Sequence, residues 1–293
     1  MKIGIVGQGY VGTALKEGMS HHYDIETFDI NSELSTTKNI RDLVKGTTMS
    51  FVCVPTPMKK DGSCDISIVE GVIRDINEAQ QWCLDSMLNH GILPVDTKYI
   101  VIIKSTIPPR TTNKLNKKYK NLQIVFNPEF LTEANFIEDF KNQDRIIIGG
   151  PRPASTKVRQ LFYKVFPKAH IIKTGSMTAE MVKYMTNTFL ATKVSFANEM
   201  KMLCDELNID YDKIVEYSIY DDRLGKSHWA VPGPDGKLGF GGSCFPKDLN
   251  AILDVCRELG VPAKTLYGAW ETNLKVRPEQ DWKDLKGRAV TDE

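Results

Sequence analysis

No run of apolar residues in this 293-residue chain approaches the roughly 20 that a membrane-spanning helix requires. Net charge is equally scarce. The 38 lysines and arginines against 37 aspartates and glutamates leave a formal +1, which gives no basis for a nucleic-acid or membrane surface. Paired cysteines are missing too. Cys53, Cys64, Cys83, Cys204, Cys244 and Cys256 lack the spacing of a zinc site or a disulfide framework, so we read reduced thiols, no metal, and a cytoplasmic setting. Met1-Lys2 leads straight into Ile3-Gly4-Ile5-Val6-Gly7, a strand and a glycine loop, not a cleavable leader. What remains, 41% hydrophobic and 26% charged residues, is an ordinary globular composition at a length comfortable for two domains.

The first such domain announces itself at once. Lys2–Val6 reads as a short apolar strand, followed by Gly7-Gln8-Gly9-Tyr10-Val11-Gly12 and a helical run to about Ser20. A second strand, Asp24–Phe28, ends at Asp29, 22 residues after the first glycine. A GxGxxG turn between strand and helix allows the tight turn, the close approach of a pyrophosphate and the packing of helix on strand. The helix N-terminus offers N–H groups to phosphates, and an acid at this spacing accepts from ribose hydroxyls. The motif alone is weak and could be a structural glycine turn. Its flanking strands and Asp29 make dinucleotide binding the better reading. Asp29 would repel a 2′-phosphate, which favours NAD over NADP.

Apolar strands then recur at Met49–Val54, Tyr99–Ile103, Leu122–Phe126, Arg145–Gly149 and Ala169–Lys173, with helical runs at Asp65–Asn89 and near Ser155–Phe166 between them. Continuous apolar strands suit a parallel sheet covered on both faces. The pattern predicts an α/β, Rossmann-type doubly wound domain over residues 1–175. Its loops carrying Thr56, Thr106 and Glu129 should open at one edge.

A different texture begins after Gly175. Thr178–Leu207 contains neither glycine nor proline and keeps helical spacing of apolar residues, which predicts a helix about 45 Å long. That length implies a bridge between domains or an oligomer contact, so residues 176–293 are expected to form an all-α central domain. Lys183 and Asn187, four apart on one face, are polar among Met181, Val182, Met185, Phe189 and Leu190. A snorkelling lysine and a surface amide would be the bland account. Further helical segments are read at Asp212–Ile219 and about Thr265–Leu274, with a Pro/Gly loop at Trp229–Leu238. The polar tail after Arg277 carries no motif.

The stretch around which the rest is organised lies late, at Gly239-Phe240-Gly241-Gly242-Ser243-Cys244-Phe245-Pro246-Lys247-Asp248. Its glycines let a ligand come close, and Pro246 suits the first turn of a helix running to Leu259 and stopped by Gly260. Cys244 is thereby expected at a helix N-terminus beside Lys247, two features that favour the nucleophilic thiolate. Asp248 follows one turn on. An isolated cysteine would be read as buried and inert; these neighbours reverse that reading.

Six stretches in order, GQGYVG, VCVPTP, KSTIPP, Asn127–Gly150, Ala179–Met200 and GFGGSCFPKD, make the chain resemble the UDP-glucose/GDP-mannose 6-dehydrogenase (nucleotide-sugar dehydrogenase) family over nearly its whole length. The resemblance implies oxidation of a sugar 6-hydroxyl to a carboxylate with two NAD, UDP-glucose being the favoured substrate. It implies that Cys244 captures the aldehyde as a thiohemiacetal that becomes a thioester. Lys183 and Asn187 would stabilise the oxyanion, Asp248 would position water or act as a base, and Glu129 would be the acid/base of hydrolysis. Thr106 would lie beside cofactor and sugar. The cofactor set becomes Gly7, Gln8, Gly9, Tyr10, Val11, Gly12, Asp29, Val54, Pro55, Thr56, Ser105, Thr106, Glu133 and Lys247. The sugar nucleotide would meet Glu129, the main chain of Phe130, Leu131 and Thr132, Lys183, Asn187, Phe240 and Gly241, with Arg223 reaching across a homodimer formed by the helical domain.

The chain departs from the family where it stops beyond the connecting helix, short of the usual third, Rossmann-like domain, and where Glu133-Ala134-Asn135 replaces a more usual Glu-Gly. A two-electron 3-hydroxyacid or 6-phosphogluconate-type dehydrogenase would share the domain pattern but not need Cys244. A non-catalytic binding remnant would be free to lose Cys244, Lys183, Glu129 and Asp248, all of which are present.

Overall fold

The computed structural model describes residues 1–93 and 98–292. Its packing divides the chain into two units, Met1–Thr56 with Ile66–Lys183, and Pro57–Asp65 with Tyr184–Glu293.

The first unit is built on a seven-stranded sheet of order β2-β1-β3-β4-β5-β6-β7. Its strands are β1 (Lys2–Val6), β2 (Asp24–Phe28), β3 (Met49–Val52), β4 (Tyr99–Ile103), β5 (Leu122–Phe126), β6 (Arg145–Gly149) and β7 (His170–Thr174). All neighbours pair in parallel except β5 and β6, which meet antiparallel at Phe126 and Gly149. Helices α1 (Tyr10–Met19), α2 (Ile40–Gly46), α3 (Ser67–Asn89), α4 (Thr111–Lys118), α5 (Phe136–Lys141) and α6 (Ala154–Val165) connect them. Because both faces are covered, the central strands are apolar throughout. Every residue of β3 and β4 is buried, and two apolar clusters form, one on each side of the sheet. Chain order reverses at β1, which lies between β2 and β3. A doubly wound sheet opens its ligand crevice at such a point, beyond the carboxyl ends of the strands.

Those ends are braced by hydrogen bonds that outlast the strands. The N–H of Gly7 donates to Phe28 O at 2.9 Å, that of Cys53 to Val6 O at 2.8 Å, that of Lys104 to Val52 O at 2.9 Å and that of Asn127 to Ile103 O at 2.9 Å. Each functional loop therefore starts from a fixed point.

Helix α7 (Ser176–Glu206) is one unbroken run of 31 residues, extending through both units. The second unit adds α8 (Tyr211–Ser218), α9 (Phe245–Leu259) and α10 (Lys264–Val276). Its core gathers Ala191, Phe240, Leu249 and Leu253 with Phe245 and Trp270 around them. A short hairpin-like bridge between Met58 and Cys64 belongs to this unit. The tail is ordered: Asp281–Asp284 form a 3-10 turn and Trp282 is fully buried. Among the described residues no helix is long and apolar enough to cross a membrane.

Candidate functional site

The glycine loop after β1 fits a dinucleotide in each of its three glycines. Gly7 has φ +91° and no room behind it, since a Cβ there would lie 2.5 Å from Cys53 O. A Cβ on Gly12 would fall 1.9 Å from Gly7 O, so only glycine lets α1 start this close to the strand. A Cβ on Gly9 would meet nothing within 4 Å and would point into open space. The outer glycines thus shape the turn, while the middle one leaves a bare backbone for a ligand to approach. Asp29 is held against this loop: Oδ2 accepts the Gln8 N–H at 2.6 Å and Oδ1 the Asn31 N–H at 2.8 Å. Tyr10 stands partly exposed at the start of α1, its ring edge-on to Phe136 at 5.1 Å. Val11 follows it in the first turn.

The loops after β3 and β4 are tied together, because Ser105 Oγ donates to Val54 O at 2.6 Å. Thr56, Ser105 and Thr106 are buried there, whereas Pro55 is exposed. Beyond β5, Glu129 receives Lys183 Nζ at 2.9 Å on its carboxylate and at 2.8 Å on its carbonyl oxygen. Both side chains are nearly dry, 4% and 11% exposed for Lys183 and Glu129. Burial by itself would raise the Glu129 carboxyl. The Lys183 ammonium, the Leu131 N–H and Lys104 outweigh burial and hold it below the usual carboxylate range.

Lys104 is a second buried cation in this cluster, and sequence reading did not single it out. Its Nζ donates to Asn127 Oδ1 at 3.1 Å, and Asn127 Nδ2 in turn donates to Ile147 O at 2.7 Å. Burial, with like charge from Lys183, pushes Lys104 down to about 8, although Cys53 and Glu129 act the other way. Burial likewise pushes the neighbouring Cys53 thiol up to about 12.

In the second unit Cys244 is the N-cap residue of α9, with Pro246 in the first turn as its missing N–H allows. Cys244 is half-buried, makes no capping hydrogen bond with its side chain, and has Ser243 Oγ 3.9 Å from Sγ. Beneath it lies an ionic network. Asp248, 1% exposed, accepts Lys247 Nζ at 2.5 Å on Oδ1 and Asn187 Nδ2 at 2.6 Å on Oδ2. Burial works to lower Lys247, but the Asp248 carboxylate, joined by Cys244 and Cys64 where they ionise to thiolates, holds it above the ordinary lysine range. Among the described residues no group of three or more His, Cys, Asp and Glu side chains is arranged to hold a metal.

Other expected site residues sit as follows. The N–H of Leu131 is taken by Glu129 Oε2 at 2.8 Å, and that of Thr132 by Asp139 Oδ2 at 2.7 Å, so two main-chain donors of Phe130–Thr132 already have partners. The Phe130 ring lies 4.2 Å beneath the Arg145 guanidinium. Glu133 is exposed. Arg223 is 88% exposed and paired with Asp221. The Phe240 ring is 4% exposed inside the second unit's core, edge-on to Phe245 at 6.1 Å. Gly241 has the Arg277 guanidinium against it, 2.5 Å from where a Cβ would be.

Several residues that hold these elements were not visible in the sequence. Glu180 of α7 caps α4, accepting the Arg110 and Thr112 N–H groups at 2.7 and 2.8 Å. Lys193 Nζ donates to Leu224 O at 2.9 Å and to Gly225 O at 3.2 Å, which fixes the turn carrying Arg223. Arg277, 2% exposed, bonds Asp235 at 2.6 Å and Asp281 at 2.7 Å. No local signal marks any of them, since each partner is far off in sequence or in a stretch without periodicity.

Comparison with known proteins agrees with this architecture. The model of the UDP-glucose/GDP-mannose dehydrogenase family, NAD binding domain, matches residues 29–167, and that of its central domain matches residues 177–275. The chain belongs to the UDP-glucose/GDP-mannose dehydrogenase family. A UDP-glucose 6-dehydrogenase of Rickettsia bellii is 33% identical over 85% of this chain and 54% of its own. The UDP-glucose 6-dehydrogenase TuaD of Bacillus subtilis is 29% identical over 94% of this chain and 63% of its own. The structure of a UDP-glucose dehydrogenase from Pyrobaculum islandicum superposes with a TM-score of 0.81 at 27% identity, covering 94% of this chain and 68% of that one. The chain thus spans roughly half to two thirds of the curated relatives it matches.

Proposed function

We propose that the chain is an NAD-dependent nucleotide-sugar 6-dehydrogenase that converts a 6-hydroxymethyl group to a carboxylate, UDP-glucose to UDP-glucuronate being the favoured case. The observation that carries the reading is Cys244, half-buried, heading α9 above the Lys247–Asp248–Asn187 network. A four-electron oxidation needs a covalent holding point, and a two-electron dehydrogenase does not.

Gly7–Gly12, Asp29, Val54–Thr56, Ser105, Thr106, Glu133 and Lys247 would hold NAD, which when bound would supply the hydride acceptor, twice per sugar. The chain's own groups do the rest. After the alcohol has lost a hydride and a proton, Cys244 Sγ adds to the aldehyde carbon and the thiol proton is carried to the hydroxyl oxygen of the thiohemiacetal. Loss of a second hydride and proton leaves a thioester. Water then attacks the acyl carbon, the C–S bond breaks, and carboxylate and thiol are released. Lys183 and Asn187 supply positive charge and a donor to the oxygen on which negative charge develops. Asp248 orients the attacking water. Glu129, ionised by its pairing with Lys183, takes the water proton. The reading assigns all of the cofactor set but Lys247 to residues 1–175, and the nucleophile Cys244 to residues 176–293.

The same reading includes a cytoplasmic homodimer. Its support is the exposed apolar side of α7 and the residue just after it, where Met185, Phe189, Leu203 and Leu207 are 72%, 66%, 50% and 58% exposed. Arg223 would then serve the partner's substrate. The deciding experiment counts NADH formed per UDP-glucose consumed with excess NAD. Two supports this function; one favours a two-electron dehydrogenase, and none a binding remnant.

A further inference from the structure

Cys244 is the N-cap residue of α9, and the main chain enters that helix through Gly239–Ser243. That path is held by side chains from elsewhere in the second unit. Asn273 of α10 is fully buried and grips the Phe240 residue at both polar atoms of its backbone. Its Oδ1 accepts the Phe240 N–H at 2.7 Å and its Nδ2 donates to Phe240 O at 3.0 Å. Asn198 of α7, also buried, accepts the Gly239 N–H at 3.1 Å. The glycines answer to the same clamp. Gly239 has φ +67°, and a Cβ there would lie 2.4 Å from Asn273 Oδ1.

We infer that Asn273 is a positioning residue for the reaction: its amide fixes the turn from which Cys244 emerges, and so sets where the sulfur stands. The inference rests on Cys244 being the nucleophile only for its consequence in turnover; its consequence for the thiol stands alone. Two buried hydrogen bonds to one backbone residue leave little freedom four residues before the sulfur. A displacement of about 1 Å in a reacting group costs on the order of a hundredfold in rate. An amide is the side chain that can both accept and donate here, which aspartate does only when protonated.

The test compares Asn273→Ala and Asn273→Asp with Lys275→Ala, an exposed change on the same helix. Peptide-resolved mass spectrometry gives the rate of iodoacetamide alkylation at Cys244 against pH, well below each variant's Tm. For Asn273→Ala the expected result is a Cys244 rate changed tenfold or more, with kcat falling by a similar factor, the KM for NAD within twofold, and Lys275→Ala unchanged. For Asn273→Asp the ratio of variant to native rate should return towards one as pH falls and the carboxyl gains the proton it needs to donate to Phe240 O. A Cys244 profile identical to the native one in both variants, whatever their Tm, overturns the inference. If Cys244→Ala keeps full turnover, the nucleophile reading fails while the effect of Asn273 on the thiol still stands.

Discussion

Asn187 donates to Asp248 at 2.6 Å, one turn of α9 below Cys244, and Lys247 takes the other oxygen of the same carboxylate. Asp248 is thus the carboxylate that pairs with Lys247, whose side chain is itself only 12% exposed. Removing one partner of such a pair leaves the other charge buried without compensation. Asp248→Ala should cost about 3–5 kcal/mol, read as a fall in the midpoint of urea unfolding. Lys247→Met combined with Asp248→Asn should recover a large part of that loss. Equal losses in the single and double variants would contradict the pairing.

The middle and last glycines of the first loop, Gly9 and Gly12, separate binding from folding. Gly9→Ala adds a methyl that meets nothing in the protein, so Tm should stay within about 2 °C of native, a shift worth about 1 kcal/mol or less. NADH affinity, followed by fluorescence titration, should fall at least tenfold. Gly12→Ala drives its methyl onto Gly7 O and should lower Tm as well as affinity. Undiminished NADH binding by Gly9→Ala would remove the loop from the cofactor site.

Much of the first unit was legible because burial on both faces leaves a simple signature. Strands β1, β4, β5 and β6 lie where apolar runs placed them, and β2 where the approach to Asp29 placed it, while β3 ends two residues sooner and β7 is shifted by one. Helices α2, α4 and α5, of seven, eight and six residues, were not visible, being too short for a clear period. The tail after Arg277 read as featureless, yet Arg277 is 2% exposed and locked to Asp235 and Asp281. An arginine looks solvent-bound until its distant partners are known. The same applies to Asn198 and Asn273, whose work is done on a glycine turn far away in sequence.

Lys104 gives a stability signature at alkaline pH. Burial depresses it to about 8, while in the unfolded chain it titrates near about 10.4. Between those values the unfolded state holds a proton that the folded state lacks, so stability contributed at this site rises with pH across that window. Relative to Lys104→Met, the native chain should gain about 3 kcal/mol from pH 7.5 to pH 10.5, measured by urea unfolding of both proteins. Parallel pH dependences would contradict the buried charge.

Glu129 acts at the other end of the scale. Its carboxyl is held low by Lys183, so the stability it contributes is present above its unfolded value of about 4.3 and is lost as pH falls through the lower folded value. The difference in stability between native protein and Glu129→Gln should therefore shrink as pH drops below about 4.3. A difference constant down to pH 2.5 would show that the pair carries no linkage.

The central claim is that a covalent sugar stands on Cys244 between the two oxidations, and Glu129→Gln exposes it by slowing hydrolysis. With UDP-glucose and NAD, peptide mass spectrometry of this variant should find an acyl adduct on the Cys244 peptide, removed by hydroxylamine and missing in the double variant with Cys244→Ala. Turnover by the native chain together with an unmodified Cys244 peptide in Glu129→Gln, whose hydrolysis has been shown to be slowed, would contradict it.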